Sequence, residues 1–313
     1  MVVYVGVTIM KNKKILLFAL VSVLIISVLS SCGRADITHE SDSYISSFTV
    51  SGNDSSESIK TEGMLEVCFL DVGQGDCILI TTHMGANILI DSGTLSSKKI
   101  VMDFLDKRGV TELEYVFLTH PHADHIGAAD EIIKNISVKN LYMTNAVTTT
   151  QVYNRLLDAL EEKTDINVVQ AMAGQRIIHY GLLFEILSPK RDSYTSLNHY
   201  SIVIKMTYGD KSFLFTGDAE DINEQEMLDA GDNLDADVLK VGHHGSVSST
   251  LSEFLSAVSP EIAVICCGAN NSYGHPHKET TDKLADITTF RTDLNGTISV
   301  FCNGYELFVT ASR

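Results

Sequence analysis

Four side chains able to hold metal ions fall within six residues of this chain: His120, His122, Asp124 and His125, in the stretch Thr119-His120-Pro121-His122-Ala123-Asp124-His125-Ile126-Gly127. Imidazole nitrogen and carboxylate oxygen are the donors that bind zinc and similar divalent cations. Two histidines at alternating positions can point at one ion while Asp124 and His125 turn toward a second. The residues ahead of them, Tyr115-Val116-Phe117-Leu118-Thr119, are an apolar β-rich run and predict a buried strand. Ile126-Gly127 then opens a helical pattern. The four polar groups are thus expected on a loop between a strand end and a helix start, where two rigid elements can aim them.

Further candidates stand at comparable strand ends. Asp218 follows Phe213-Leu214-Phe215-Thr216-Gly217, and a carboxylate there can bridge two cations with one oxygen on each. In Val241-Gly242-His243-His244-Gly245-Ser246 two adjacent histidines between glycines can place one on a metal and the other beside it, as proton donor or substrate contact. Asp91, in Leu89-Ile90-Asp91-Ser92-Gly93, can accept a hydrogen bond from a ligand imidazole and fix its tautomer. Asp76 and Asn198 are expected in the same supporting position. His199 is the best available extra imidazole for a metal. His275, in Tyr273-Gly274-His275-Pro276, and Arg291-Thr292-Asp293 are expected at the cleft rim.

The elements that must position these residues alternate along the chain. Strands are predicted at Leu65 to Val72, Cys77 to Thr82 and Asn87 to Ile90, a helix at Ser96 to Arg108, then the Tyr115 strand. A helix at Ala128 to Asn135, a strand at Val138 to Met143 and a helix at Thr149 to Lys163 follow. Leu182 to Leu187 is a strand, and Ser201 to Tyr208 and Lys211 to Thr216 form a hairpin about Gly209-Asp210. Beyond it come a helix at Asn223 to Ala230, strands at Asp237 to Val241 and Ile262 to Cys267 with a helix at Leu251 to Val258 between them, a helix at His277 to Ile287, and strands at Thr297 to Cys302 and Tyr305 to Thr310. Two groups of strands with helices between them predict two packed sheets with helices outside. No internal repeat is present.

The chain has 313 residues, 44% of them hydrophobic, and a formal charge of −17. No basic run offsets that charge, which argues against tight, metal-independent nucleic-acid binding. Lys11, Lys13 and Lys14 precede an apolar run from Ile15 to Leu29 and then Ser30-Ser31-Cys32, the pattern of a secretory signal over residues 1–31. Leu29-Ser30-Ser31-Cys32 resembles the bacterial lipobox, which makes Cys32 the expected site of a lipid anchor to the membrane. Its removal takes three lysines and no acid, so the charge goes from −17 to −20. Residues 32–63 are rich in Ser, Asp, Glu and Thr and read as a disordered tether, with the folded domain at 64–313. Of the six cysteines, Cys68, Cys77, Cys266, Cys267 and Cys302 lie in strand-like runs without a C-x-x-C pair. Buried free thiols are expected, and a Cys68–Cys77 bridge is left open.

Taken in order, Asp71-Val72-Gly73-Gln74-Gly75-Asp76, Asp91-Ser92-Gly93, the His120 to Gly127 motif, Phe215-Thr216-Gly217-Asp218, Val241 to Ser246 and Tyr273 to Pro276 resemble the metallo-β-lactamase superfamily. Within it they are similar to the extracytoplasmic domain of ComEC competence proteins and to phosphorylcholine esterases. The resemblance implies an αββα sandwich, an α/β fold, with two divalent ions, Zn²⁺ or Mn²⁺, at one edge. Carried over, His120 and His122 hold the first ion, Asp124, His125 and His243 the second, and Asp218 both. The family's third imidazole on the first ion has no clear counterpart, since Asn198-His199 stands where ComEC-type sequences carry Asn-Asn. His244 or His275 is then expected to protonate the leaving group, and Asp124 to serve catalysis as well as binding. The implied activity is metal-dependent hydrolysis, foremost of a phosphodiester, with single-stranded DNA as a candidate. A phosphorylcholine ester, another small ester, a lactone or a β-lactam is the alternative, and a metal-binding surface scaffold the non-enzymatic one. An imidazole at His122, in place of the glutamate of di-iron redox members, implies hydrolytic metals. The long membrane channel of full ComEC proteins is absent from this sequence.

Overall fold

The computed structural model describes residues 49–50 and 63–313. Its strands are β1 (Thr49–Val50), β2 (Leu65–Phe69), β3 (Ile78–Thr81), β4 (Asn87–Ile90), β5 (Glu112–Leu118), β6 (Ser137–Met143), β7 (Asn167–Gln170), β8 (Arg176–His179), β9 (Leu182–Ser188), β10 (Val203–Tyr208), β11 (Lys211–Phe215), β12 (Val238–Lys240), β13 (Ile262–Ile265), β14 (Thr288–Arg291), β15 (Ile298–Cys302) and β16 (Leu307–Ala311). The helices are α1 (Lys98–Lys107), α2 (Ala129–Asn135), α3 (Gln151–Glu162), α4 (Asp221–Asp229), α5 (Ser252–Val258), α6 (Lys278–Lys283) and α7 (Thr292–Asn295).

The strands form a nine-stranded sheet, in the order β1-β16-β15-β2-β3-β4-β5-β6-β7, and a seven-stranded sheet, in the order β14-β13-β12-β11-β10-β9-β8. Period-two alternation decides how they pack. In β4, Ile88 and Ile90 face the core between the sheets, while Leu89 faces outward to a second cluster with Val101 and Leu105 of α1 and Ile132 and Ile133 of α2. In β11, Phe213 and Phe215 face the inter-sheet core, and Leu214 faces a third cluster with Met227 of α4 and Phe254 of α5. Each sheet buries both faces, one on the other sheet and one under helices, which is the expected αββα sandwich.

Placement differs from the sequence reading in four places. β7, β8 and β14 are short strands that periodicity did not pick out. β1 pairs in parallel with β16 at Thr49↔Phe308, so the segment expected to be a tether adds a strand to the sheet edge. The signal segment and Cys32 lie outside the described residues. Among the described residues no helix is long and apolar enough to cross a membrane. All five described cysteines are free and buried; Cys68 stands opposite Leu79 in the β2–β3 ladder, so the Cys68–Cys77 bridge is not formed.

Candidate metal centre

The polar residues singled out from the sequence converge where β4, β5, β11, β12 and β13 end. β4, β5 and β6 run parallel in one sheet and β11, β12 and β13 in the other, so their carboxyl ends and the loops that follow meet at one edge of the sandwich. The loop after β5 turns tightly there, with the His125 and Ile126 amides donating to the His122 carbonyl at 3.1 Å. Close approach to it requires small neighbours. A Cβ at Gly75 would sit 2.4 Å from the Asp124 carbonyl oxygen, and one at Gly127 would sit 2.1 Å from the Thr94 backbone.

Three donor groups result. His120, His122 and Asp218 form one, Asp124, His125, His244 and Asp218 a second, and the buried Asp76, Asp91 and His125 a third behind them, each with its ligand atoms within 4.8 Å of one another. Asp218 is shared by the first two through opposite oxygens. Its Oδ2 lies 3.7 Å from His120 Nε2, whereas its Oδ1 lies 3.2 Å from His125 Nε2 and 3.5 Å from His244 Nε2. His244 Nε2 is also 3.4 Å from Asp124 Oδ2. Asp91 lies behind the cluster: its Oδ2 accepts from His125 Nδ1 at 2.7 Å, and its Oδ1 accepts the Thr119 amide at 2.8 Å. With its Nδ1 proton donated to Asp91, His125 turns Nε2 into the cluster, where a cation can take the place of the second ring proton.

The two adjacent histidines take the opposite places from those carried over by resemblance. Both have left-handed backbone conformations, His243 at φ 46° and His244 at φ 56°, which turn successive side chains apart. His244 is the buried one, its Nδ1 held 2.9 Å from the Cys266 carbonyl. His243 stands at the mouth, its Nδ1 3.1 Å from Glu220 Oε1 and its Nε2 3.8 Å from Asp218 Oδ2. His199 does not join the donors either. Its Nε2 is turned onto Glu220 Oε2 at 2.9 Å. Asn198 lies closer in, with Nδ2 3.4 Å from His243 Nε2. His275 sits at the rim beside Gln74. Arg291 and Asp293 pair with each other at 2.6 Å.

Lys240, Glu220 and Gln74 are the residues that sequence reasoning passed over. Lys240 is fully buried, its ammonium 2.5 Å from Asp76 Oδ2 and donating to the Gly217 carbonyl at 2.8 Å. The signal for it was present: a lysine in the apolar strand Val238-Leu239-Lys240 has no water to reach and must meet a buried anion. Asp76 in turn lies 3.5 Å from His244 Nδ1.

Electrostatically the cluster draws positive charge. Burial alone would keep His125 and His244 neutral, yet Asp218 and the neighbouring carboxylates hold both above the usual imidazole range, His244 at about 10. Burial would likewise raise Asp218 and Asp124, but His125 and His244 hold both below the usual carboxylate range. His120, buried and facing His125, is pushed well down and stays neutral. His125 Nε2, His244 Nε2 and Asp218 Oδ1 are buried without a hydrogen-bond partner. Buried polar atoms are ordinarily satisfied, and three that converge on one point fit a divalent cation. The His/Asp cluster is thus suited to a dinuclear metal site.

The comparisons with known proteins agree with this geometry. The family described as the metallo-beta-lactamase superfamily matches residues 70–269. ComE operon protein 3 of Bacillus subtilis is 36% identical over 259 residues, which is 77% of this chain and 33% of that protein. Recombination protein 2 of Haemophilus influenzae is 33% identical over 224 residues, 70% of this chain and 26% of that protein. The chain spans about a third or less of the length of these relatives. A solved structure of a mutant CmlA β-hydroxylase superposes with a TM-score of 0.51 at 13% identity, over 75% of this chain and 53% of that one, a likeness of fold alone. On the match over residues 70–269 and the clustered donors, the chain belongs to the metallo-β-lactamase superfamily and is a metal-dependent hydrolase by fold.

Proposed function

We propose that this chain hydrolyses phosphodiesters outside the cytoplasm, anchored to the membrane through Cys32. The observation that carries the chemistry is Asp218, one oxygen facing each of the two donor groups that share it. His120, His122 and Asp218 would hold one Zn²⁺ or Mn²⁺, and Asp124, His125, His244 and Asp218 the other. Two such cations stabilise charge on phosphoryl oxygens and ionise water near neutral pH. The name of one relative, Recombination protein 2, favours a nucleic-acid phosphodiester over a lactone or β-lactam.

The chain's own residues supply the rest. Glu220 Oε1 faces His243 Nδ1 at 3.1 Å and accepts the Ser248 hydroxyl at 2.8 Å, and that hydroxyl is itself 3.3 Å from His243 Nδ1. His243 Nε2 is thereby presented toward the cluster, where the doubly protonated ring would pass its Nε2 proton to the leaving oxygen and keep the Nδ1 proton on Glu220. His275 does not suit that role, because burial and the neighbouring His243 and His244 push it down to about 4, which leaves it neutral at pH 7. The full chain loaded with Mn²⁺ or Zn²⁺ is expected to cleave single-stranded DNA or bis(p-nitrophenyl) phosphate and to stop with chelator. Nitrocefin turnover without phosphodiester turnover would reverse this ordering, and no turnover in a broad ester panel would leave a metal-binding scaffold. Release of the chain from the membrane fraction by Cys32→Ala tests the anchor.

A further inference from the structure

A turn at the mouth of the cluster holds out an aromatic side chain that contributes little to the fold. Asn271 ties this turn. Its Nδ2 donates to the carbonyls of Gly268 at 2.9 Å and His275 at 2.5 Å, and its Oδ1 accepts the amides of Tyr273 at 3.1 Å and His275 at 3.0 Å. Gln74 braces it from the other sheet: its Oε1 accepts the Gly268 amide at 3.0 Å, and its Nε2 lies 3.4 Å from His275 Nδ1. The turn held in this way stacks Tyr273 on His275, with ring centroids 5.6 Å apart and planes 25° from parallel. His275 is in turn 5.3 Å from the His243 ring and 6.2 Å from that of His244. Tyr273 is 66% exposed, so one face rests on His275 and the other is open to water.

We infer that Tyr273 is a stacking face for a flat ring attached beside the scissile phosphate, with a nucleobase as its partner. This rests on the phosphodiesterase reading above and adds a residue that reads the substrate beyond its phosphate. A nucleobase fits better than the choline of a phosphorylcholine ester, because quaternary ammonium groups are recognised by several aromatic faces enclosing the cation. Here a single ring backed by an imidazole offers one flat surface. Charge points the same way. With a net −17 and Arg291 paired to Asp293, neither the overall charge nor this rim arginine favours a strand's phosphates, whereas base stacking adds affinity without regard to sequence.

The test uses the full chain loaded with Mn²⁺ and two single-stranded oligodeoxynucleotides, one intact and one abasic on both sides of the cleaved linkage. Tyr273→Ala is expected to raise KM for the intact strand about tenfold with kcat nearly unchanged, and Tyr273→Phe to restore it. The abasic strand should bind wild type and Tyr273→Ala equally weakly. Tyr305→Ala, an equally exposed tyrosine on the β15–β16 turn beside Gly209 at the far end of β11, should change nothing. Equal KM for intact and abasic strands, or an unchanged KM in Tyr273→Ala, overturns the inference, as does a preference for a choline-phosphate ester that Tyr273→Ala abolishes. A 2-aminopurine base in the strand separates this claim from the activity. If no phosphodiester is cleaved, the proposed function falls, while quenching lost in Tyr273→Ala still supports the stacking face and equal quenching in both proteins overturns it.

Discussion

The two donor groups that share Asp218 are built differently behind their ligands. In the Asp124–His125–His244 half, each imidazole has a strong acceptor at its rear nitrogen: Asp91 behind His125 at 2.7 Å and the Cys266 carbonyl behind His244 at 2.9 Å. Both rings are fully buried, and Asp76 with Lys240 closes the layer beneath. In the other half, His120 Nδ1 has only hydroxyls nearby, Thr119 at 3.1 Å and Ser201 at 3.4 Å, and His122 is only partly buried. A carboxylate or carbonyl behind a ligand imidazole fixes its tautomer and raises its basicity. One half is therefore held in place by its own hydrogen bonds, and the other less firmly. The first should bind a cation more tightly.

The change with the largest expected effect removes what the halves share. Asp218→Asn keeps the shape of the side chain but takes away the negative charge between two cations that repel each other. Metal content measured by elemental analysis should fall below two per chain, and phosphodiester turnover should drop on the order of a thousandfold. Full metal and full turnover in this variant would sink the bridged arrangement.

The adjacent histidines come next. His244→Ala removes a ligand of the tight half and should cost that ion. His243→Ala should keep both ions and lower kcat by about a hundredfold or more, the usual weight of a general acid. Metal counts for the two purified variants decide the matter, and the reverse pattern would restore the order carried over by family resemblance.

That reversal marks the limit of what the sequence discloses. The αββα layering was legible because alternation in runs such as Asn87–Ile90 and Lys211–Phe215 states which residues face which layer. The strand-end positions of His120, His122, Asp124, His125 and Asp218 were legible because apolar runs stop immediately before them. Which of His243 and His244 turns inward was not, since it depends on two successive left-handed backbone conformations that neither residue type announces. His199 was misplaced because its partner Glu220 stands 21 positions away in the chain, and Lys240 was passed over because it reads as one polar residue in an apolar strand. β7, β8 and β14 were missed because four-residue edge strands carry too few alternations to show a period.

Beneath the tight half, Lys240→Met should leave Asp76 as a buried carboxylate without its ammonium partner, with only the rings of His244 and His125 near it. Breaking such a pair costs roughly 3–5 kcal/mol, seen as a lowered midpoint in denaturant unfolding. Adding Asp76→Asn to Lys240→Met should recover part of that loss. If the double variant is no more stable than the single, the pair is not what Lys240 contributes.

The smallest expected effect bears most directly on the difference between the halves. Asp91 adopts a left-handed conformation at φ 58°, which asparagine tolerates well, so Asp91→Asn should keep the backbone and the acceptor for the Thr119 amide. What changes is the group facing His125 Nδ1. An amide NH₂ in place of the Oδ2 oxygen would donate to Nδ1 and drive the ring proton to Nε2, the atom that must offer its lone pair to a cation. Binding an ion then requires the tautomer to be reversed against that hydrogen bond. The affinity of the tight half should fall about 10- to 100-fold, with the His120–His122 half unaffected. Stepwise competition with a chromogenic chelator would read the two dissociation constants separately. Wild type should release its ions in two well-separated steps, and Asp91→Asn in steps that draw together. An equal loss in both halves, or a single step already in wild type, would mean that backing by Asp91 does not set the two ions apart.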